Sequence, residues 1–568
     1  MFKFNLRSFF TKEWEFLRLS ASFIFITGVY SLMAFITLVF AGQMNQAHLA
    51  GVGLSNTLFN VAVTSVSSGY SSIFDTYGPQ VHGSEKKSEL GNVLFKCLLQ
   101  GTLVNLIIAG PYLNLVFIID LLPDSGLYSD TPDLSDPGED YRDIAVAYLR
   151  MTLVVENLDY TLVMICKYFA IQGYDKFVYL VTVVMVGCHI LFNYILVTVF
   201  QLGVYGLSLA AILGRLFPLS VSLSVCFIMV RRGKFSWNGF STRALLGWGP
   251  MVKLGLAGAI ECFAESFLYE IAVFLSQFDG ADALSVVIIM YQLTIIWWAV
   301  AYGMARASAT LIGMALGEGD ANKTRYFMKL SLLNSILVST TLAFICYSFR
   351  TEEVLMFSSD GDVKDLFLAT IWVAYLGIPV NNMQVSLNQG ILVAFGAQEY
   401  TAWSMSIVCY LIGLPIILIT IFLSDLRVSG IFLGAIVVDV TMIVTASVKI
   451  WTVDIDKEIT NSKERVDKGN SRDCDAGTET SVNEIYDNLT CSVKYDANEK
   501  TALVQAQDTA TNDYKASDPN EDILEDLLEE DQSRDPNADL KEIRNVLLAF
   551  IAAVLFCVSL AGISLIRQ

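Results

Sequence analysis

The sequence predicts an all-α membrane protein that crosses the bilayer many times. Its helices would form two pseudo-symmetric six-helix bundles around a central cleft, with a thirteenth transmembrane helix after them. The 568 residues are 54% hydrophobic and only 16% charged, and the mean hydropathy is +0.53. Apolar runs of about 18 residues or more recur along the chain, each long enough to cross a hydrocarbon core. A transmembrane barrel would require short alternating strands, which the pattern does not contain.

Twelve membrane spans are predicted in the first 450 residues, centred near Met33, Val61, Leu106, Val155, Val186, Ala211, Phe267, Trp298, Leu337, Gly377, Cys409 and Val438. The thirteenth is VLLAFIAAVLFCVSLAGISLI, near the end of the chain. The predicted segments are an N-terminal stretch (1–20), an N-lobe of spans 1–6 (21–230), an inter-lobe loop (231–249), a C-lobe of spans 7–12 (250–450), an acidic linker (451–543) and span 13 (544–566).

The negative charge of the chain is concentrated in the linker. The net charge is −19, and residues 452–543 alone hold 25 acidic and 10 basic side chains. This segment has few aromatic residues and no apolar period, so we expect a disordered tether. A docking motif for a cytoplasmic partner in DILEDLLEE is the alternative interpretation.

The loops predict the orientation, because basic residues favour the cytoplasmic side. They occur before span 1 and in the loops 2–3, 6–7 and 8–9: Lys3, Arg7, Lys12, Arg18, Lys86, Lys87, Arg231, Arg232, Lys234, Arg243, Lys323, Arg325 and Lys329. We therefore expect the N-terminus and the linker to be cytoplasmic and the C-terminus extracellular. The plasma membrane is the expected location, with an acidic organelle as the alternative.

The first twelve spans divide into two similar halves. LGVYGLSLAA at 202–211 matches LRVSGIFLGA at 426–435, an offset of 224 residues. FAIQGYDKF after span 4 likewise corresponds to LVAFGAQEY after span 10. Two similar six-span bundles about a cleft are typical of secondary transporters, which bind substrate between the repeats near the midplane.

Several motifs in both halves resemble those of the multidrug and toxic compound extrusion (MATE) family, with the animal and plant branches closest. They are FDTYGPQVHG, FNYILV, LGVYG with its echo LRVSG, GMALGEGD and YLIGLP, and the resemblance covers about residues 17–450. It implies a secondary antiporter that expels organic cations or other small molecules in exchange for H⁺ or Na⁺. The animal branch typically uses H⁺.

Span 7 carries three glutamates in IECFAESFLYE. Glu261 and Glu265 lie four residues apart, so they share a helix face, whereas Glu270 points elsewhere. Carboxylates in a membrane-spanning helix are costly and therefore usually face the protein interior or water. The resemblance places Glu265 and Glu270 at the span-7 glutamates of the animal branch and makes Glu265 the leading candidate for binding both proton and cation. Satisfaction by hydrogen bonds between helices is the alternative.

Other site candidates lie on spans 2, 8 and 10. Tyr291 and Trp298 on span 8 offer aromatic faces for a cation, and Asn60 lies in the middle of span 2. The resemblance implies a glutamate on span 10 and another after the span-8 tyrosine, where this chain has Asn382 and Gln292. Packing roles are the alternative for Asn60 and the aromatic residues.

Span 4 departs from the family pattern, because it carries Glu156 and Asp159. The repeat makes Asp159 the mate of Asn382, which suggests that a carboxylate moved from one half to the other. We expect the two acids to form a second protonation or cation site, and a buried polar pair within the N-lobe is the alternative. Arg215 and Asp439 are equivalent by the offset, and we expect each to form a structural pair or to border the cleft rather than to bind substrate. For His189 we expect a hydrogen-bonding role.

The sequence excludes several other functions. It has no G-x-x-x-x-G-K-[ST] loop for ATP and no H-E-x-x-H or G-x-S-x-G motif in a suitable context. We therefore expect no enzymatic activity, no cofactor, no metal site and no nucleic-acid partner. The predicted function is a proton-coupled antiporter that exports organic cations, with Na⁺ coupling or another cargo, such as an endogenous amine or an organic anion, left open. A transport-incompetent membrane scaffold or receptor is the alternative from a different class.

Overall fold

A computed structural model of the chain describes residues 6–113, 141–236, 242–245, 247–355, 361–424 and 426–468. These residues belong to one compact unit, Met1–Ser471. Within them the secondary structure is helical, without a strand. The first six spans are Leu6–Met44, Gln46–Gly83 (with a π-helical segment at Asn60–Thr64), Leu90–Leu113, Tyr141–Ile171, Asp175–Val199 and Gly203–Arg231. The next six are Gly249–Ser276, Ala281–Glu318, Ala321–Ser348, Gly361–Leu392, Gln398–Phe422 and Arg427–Thr452.

Ten of these twelve helical segments are long and apolar enough to cross a membrane by length and composition. Spans 4 and 7 are the exceptions among the described residues, because each carries several charged side chains. Those of span 7 include Glu261, Glu265 and Glu270. The all-helical fold predicted from the sequence is thus confirmed, and the two charged helices are those that carry the predicted carboxylate candidates.

The beginning of the predicted linker is helical rather than disordered. Residues Ile455–Lys468 form a helix, here called the post-span helix. It buries Ile459, Ser462 and Val466, whose spacing places them on one face. The high charge of the segment hides this face in the sequence, because only three small or apolar positions form it. The rest of the linker and span 13 lie outside the described residues.

The two lobes repeat the same helix packing. Within the N-lobe, span 4 packs on spans 2, 3 and 6, and span 5 packs on spans 1 and 6. Within the C-lobe, span 10 packs on spans 8, 9 and 12, and span 11 packs on spans 7 and 12. Each of these pairs has its mate at a shift of six spans, as the internal sequence repeat predicts.

The lobes contact each other near the end that carries the basic loops, here called the basic end. Span 1 packs on span 8, span 7 on span 2, and the second half of span 2 on span 8. Glycines allow this approach: a β-carbon at Gly258 would lie 2.5 Å from Gly69 O, and one at Gly83 would lie 2.1 Å from Met314 O. The opposite half of span 2, Gln46–Phe59, packs mainly on spans 1 and 4 of its own lobe.

Hydrogen bonds join the lobes at the same end. Gln80 Nε2 donates to Ala394 O (2.8 Å), and Thr76 Oγ1 donates to Val393 O (2.7 Å). Gln398 Nε2 donates to Thr76 Oγ1 (2.8 Å). Because these bonds are buried, the basic end is closed in this conformation.

Candidate functional site

A small cavity lies inside the C-lobe between spans 7, 8, 10 and 12. Its walls combine aromatic, amide and carboxylate groups with small side chains that leave room. The lining residues are Tyr269, Thr294, Trp297, Trp298, Ala301, Ala374, Gly377, Ile378, Asn381, Asn382, Phe432, Ala435, Ile436 and Asp439. An apolar wall with a few convergent polar groups is the kind of lining that small-molecule sites have.

Glu265 lines a smaller cavity that adjoins the first one. Tyr269, Ala435 and Asp439 line both cavities. Asp439 and Glu265, from spans 12 and 7, therefore face the same interior space. Both side chains are largely buried, at 6% and 7% exposure. No lysine, arginine or histidine is among the residues that line either cavity, so the space carries a negative charge when the acids are ionised.

Aromatic rings surround the two acids. Tyr302 donates its hydroxyl to Glu265 Oε2 at 3.5 Å, and its ring centroid lies 3.8 Å from that of Trp298. Tyr269, which lines both cavities, has its ring 6.2 Å from that of Tyr291. Electron-rich faces next to carboxylates form an environment that attracts organic cations.

Asp439 is oriented by a neighbouring amide. Asn381 Nδ2 donates to both of its carboxylate oxygens, at 3.3 and 3.2 Å. The adjacent Asn382 is buried, and its Oδ1 has no hydrogen-bond partner among the described residues. A buried amide oxygen without a partner is costly, so Asn382 offers an acceptor to a donor group that enters the cavity.

The other span-7 candidates lie outside this cavity. Glu261 is fully buried nearer the basic end, where it accepts a hydrogen bond from Thr401 on span 11. Glu270 is half-buried towards the opposite end of the span, and Gln292 and Asn60 are exposed. Of the predicted residues, the structure therefore brings Glu265, Trp298 and Asn382 to the two adjoining cavities.

The second predicted site, on span 4, is organised differently from expectation. Arg215 on span 6 donates to both oxygens of Asp159, from Nε at 3.1 Å and from Nη2 at 3.3 Å. Asp159 is therefore in an ion pair with Arg215, which fits the structural pair expected for Arg215 and the alternative of a buried polar pair in span 4. Only the tertiary packing of spans 4 and 6 could show this. Glu156, in contrast, accepts a hydrogen bond from Thr64 at 3.1 Å, so its role as a protonation site stays a prediction.

The ion pair extends into a buried chain of hydrogen bonds. Arg215 Nη1 lies 3.2 Å from His189 Nδ1, and His189 Nε2 lies 3.0 Å from Thr37 Oγ1. The hydrogen-bonding role predicted for His189 is confirmed. The network joins spans 1, 4, 5 and 6, which fits a scaffold at the centre of the N-lobe.

Asp439 and Tyr269 are the site residues that sequence reasoning underrated. Asp439 was expected to form a structural pair or to border the cleft rather than to bind substrate. The signal for a site role was its chemistry: this mid-span carboxylate has no base on its own helix between Arg427 and Lys449. For Tyr269 the signal was its position four residues after Glu265, which places both side chains on one helix face. Among the described residues, no cluster of histidine, cysteine and acidic side chains could hold a metal ion.

Comparisons with known proteins agree with this architecture. The MatE family profile matches residues 22–195 and 258–419, one stretch in each lobe. The human multidrug and toxin extrusion protein 1 is 27% identical over 410 residues, which cover 72% of this chain and 69% of that protein. The human multidrug and toxin extrusion protein 2 is 26% identical over 469 residues and covers 75% of each chain.

Solved structures show the same fold. The eukaryotic MATE transporter AtDTX14 superposes with a TM-score of 0.73 at 18% identity, covering 80% of this chain and 99% of that one. A multidrug resistance MATE family transporter described in an outward-facing conformation gives a TM-score of 0.64 at 16% identity, over 80% and 97% of the two chains. With more than half of its length matched by the family profile, this chain belongs to the MATE family of multidrug and toxin extrusion transporters and is a multi-pass membrane protein.

Proposed function

We propose that this transporter expels organic cations in exchange for protons. Glu265 and Asp439 are the proposed carboxylates, and each would bind either a proton or the cation. The observation that carries the proposal is the pairing of two buried carboxylates in adjoining cavities whose lining residues include no base. Neither acid has an ion-pair partner among the described residues. Fixed counter-charges would instead have favoured a scaffold or an anionic cargo.

The cavity chemistry explains how exchange would work. Burial favours the neutral form of a carboxyl group, and a nearby cation favours the ionised form. A proton and an organic cation therefore compete for the same acid. Release of one allows binding of the other, which is the minimal requirement for antiport. Trp298 and Tyr302 would stabilise the bound cation through their ring faces.

Movement of the two lobes would give the cavities access to each side of the membrane in turn. In this conformation the lobes are hydrogen-bonded at the basic end, which the positive-inside rule assigns to the cytoplasm. The C-lobe cavities would then communicate with the outside. Cargo release and proton entry would occur here, and rocking of the lobes would expose the same acids to the cytoplasm.

Transport in proteoliposomes tests the proposal. Purified protein is reconstituted, a pH gradient is imposed, and uptake of a radiolabelled organic cation is measured against H⁺ flux from a pH-sensitive dye. Glu265→Gln keeps the side-chain shape but removes the exchangeable charge, so gradient-driven uptake should fall to background. Glu352→Gln, at an exposed glutamate outside the spans, is the matched control and should behave as wild type. Undiminished, pH-driven uptake by Glu265→Gln would exclude Glu265 from coupling.

A further inference from the structure

The post-span helix connects the two lobes at the basic end. It follows span 12 after a short link, in which Asp454 Oδ1 accepts a hydrogen bond from the backbone N–H of Asp456. Because the chain runs directly from span 12 into this helix, the helix is attached covalently to the C-lobe. It packs on spans 8 and 9 of the C-lobe and on the second half of span 2 in the N-lobe.

The contacts with the C-lobe form an anchor. Ile459 and Lys463 lie beside Gly319, where span 8 ends in a left-handed conformation (φ 79°). Arg465 Nη2 donates to Phe395 O at 2.7 Å, in the turn after span 10. The neighbouring Gly396 permits this approach, because a β-carbon there would lie 3.0 Å from the Arg465 guanidinium carbon.

The contacts with the N-lobe lie at the far end of the same helix. Lys86, in the loop between spans 2 and 3, donates to Asp467 Oδ1 at 2.7 Å. The adjacent Val466 is only 5% exposed. An exposed ion pair contributes little free energy by itself, and the packing of the helix on the second half of span 2 adds to the attachment.

We propose that the post-span helix is a clamp that holds the basic end closed and must leave the N-lobe before this end can open. The inference rests on the alternating access of the proposed function. A helix anchored on one lobe and docked on the other cannot keep both sets of contacts when the lobes separate. Its affinity for the N-lobe therefore sets the balance between the closed and open states of the basic end.

The test is a distance measurement across the basic end that requires no cargo. Spin labels are placed at Ser88 in the N-lobe and Arg325 in the C-lobe, both exposed. They are attached through introduced non-natural amino acids because the chain has 10 cysteines. Pulsed electron spin resonance on full-length protein in nanodiscs then gives the populations of the short (closed) and long (open) distances.

The main variant is Val466→Asp, which places a carboxylate on the docked face. Its matched control is Thr460→Asp, the same change of charge at an exposed position of the same helix. Val466→Asp should shift the populations towards the long distance by roughly tenfold, because a buried Val side chain is lost from the contact. Thr460→Asp should leave them unchanged. Identical distributions for the two variants would overturn the proposal.

A charge reversal provides a second test that leaves the apolar face intact. Asp467→Lys turns the attraction to Lys86 into repulsion and should raise the long-distance population about twofold at low salt, and less at high salt. The double variant Lys86→Glu with Asp467→Lys should restore the wild-type distribution. If Val466→Asp misfolds and Asp467→Lys causes no shift, the clamp is refuted. If the distances shift as expected but no organic cation is transported, the clamp stands and the proposed cargo fails.

Discussion

Asn381 donates its side-chain amide to both carboxylate oxygens of Asp439. At the equivalent contact in the other lobe, Arg215 donates to both carboxylate oxygens of Asp159. Arg215 and Asp439 are equivalent by the repeat, and Asn381 lies one residue from the predicted mate of Asp159. The same two-helix contact is thus a neutralised ion pair in the N-lobe and a carboxylate held by a neutral amide in the C-lobe. This difference leaves Asp439 able to attract a cation.

Asp439→Asn should therefore lower cation uptake by about tenfold or more, because an ionic hydrogen bond of roughly 1.5–3 kcal/mol is replaced by a neutral one. Initial rates of pH-driven uptake in proteoliposomes measure the effect. Asp282→Asn, at an exposed aspartate at the start of span 8, serves as the control. Uptake by Asp439→Asn at the rate of the Asp282→Asn control would exclude Asp439 from cation binding.

Trp298→Ala should raise the KM for aromatic cations by about 3- to 30-fold, since a partly desolvated cation–π contact is worth roughly 0.5–2 kcal/mol. Trp298→Phe keeps a ring face and should have a smaller effect. The comparison variant is Trp403→Ala, at a tryptophan that is 72% exposed and lines neither cavity. Equal KM values for Trp298→Ala and Trp403→Ala would remove Trp298 from the binding surface.

Arg215→Met should destabilise the protein by about 3 kcal/mol or more, because it leaves Asp159 buried without its partner. Removing the charge of Asp159 as well, in Arg215→Met with Asp159→Asn, should recover much of the loss. Thermal unfolding in detergent, followed by intrinsic fluorescence, measures both. If Arg215→Met is as stable as wild type and changes only the pH profile of uptake, the pair is part of the coupling machinery rather than a scaffold.

Gly83→Ala should prevent the lobes from closing at the basic end, because its β-carbon would meet the backbone oxygen of Met314 at 2.1 Å. Backbone atoms cannot yield as a flexible side chain can, so the closed state should lose population. The spin-label distances across the basic end report this change. Gly53→Ala, where a β-carbon meets nothing within 4 Å, should leave the distances unaltered. A closed distribution in Gly83→Ala would show that the lobes contact each other differently.

The sequence by itself determined the helical membrane fold and the two-lobe repeat, and it predicted a site at Glu265. Apolar run length, the offset of 224 residues and the cost of a carboxylate in span 7 are properties of the chain alone, so no packing information was needed. These signals are local or periodic in the sequence, so they can be recognised without knowledge of the tertiary contacts.

Only the tertiary structure decided how the charges are paired. Asp159 and Arg215 are 56 residues apart, and nothing in either helix indicates that they meet. The position of Asp439 beside the Glu265 cavity likewise depends on how spans 7 and 12 pack. The docking of the post-span helix follows from a surface that two lobes create together. The interaction between two charges depends on the distance between them in space, and the sequence of a single helix does not specify that distance.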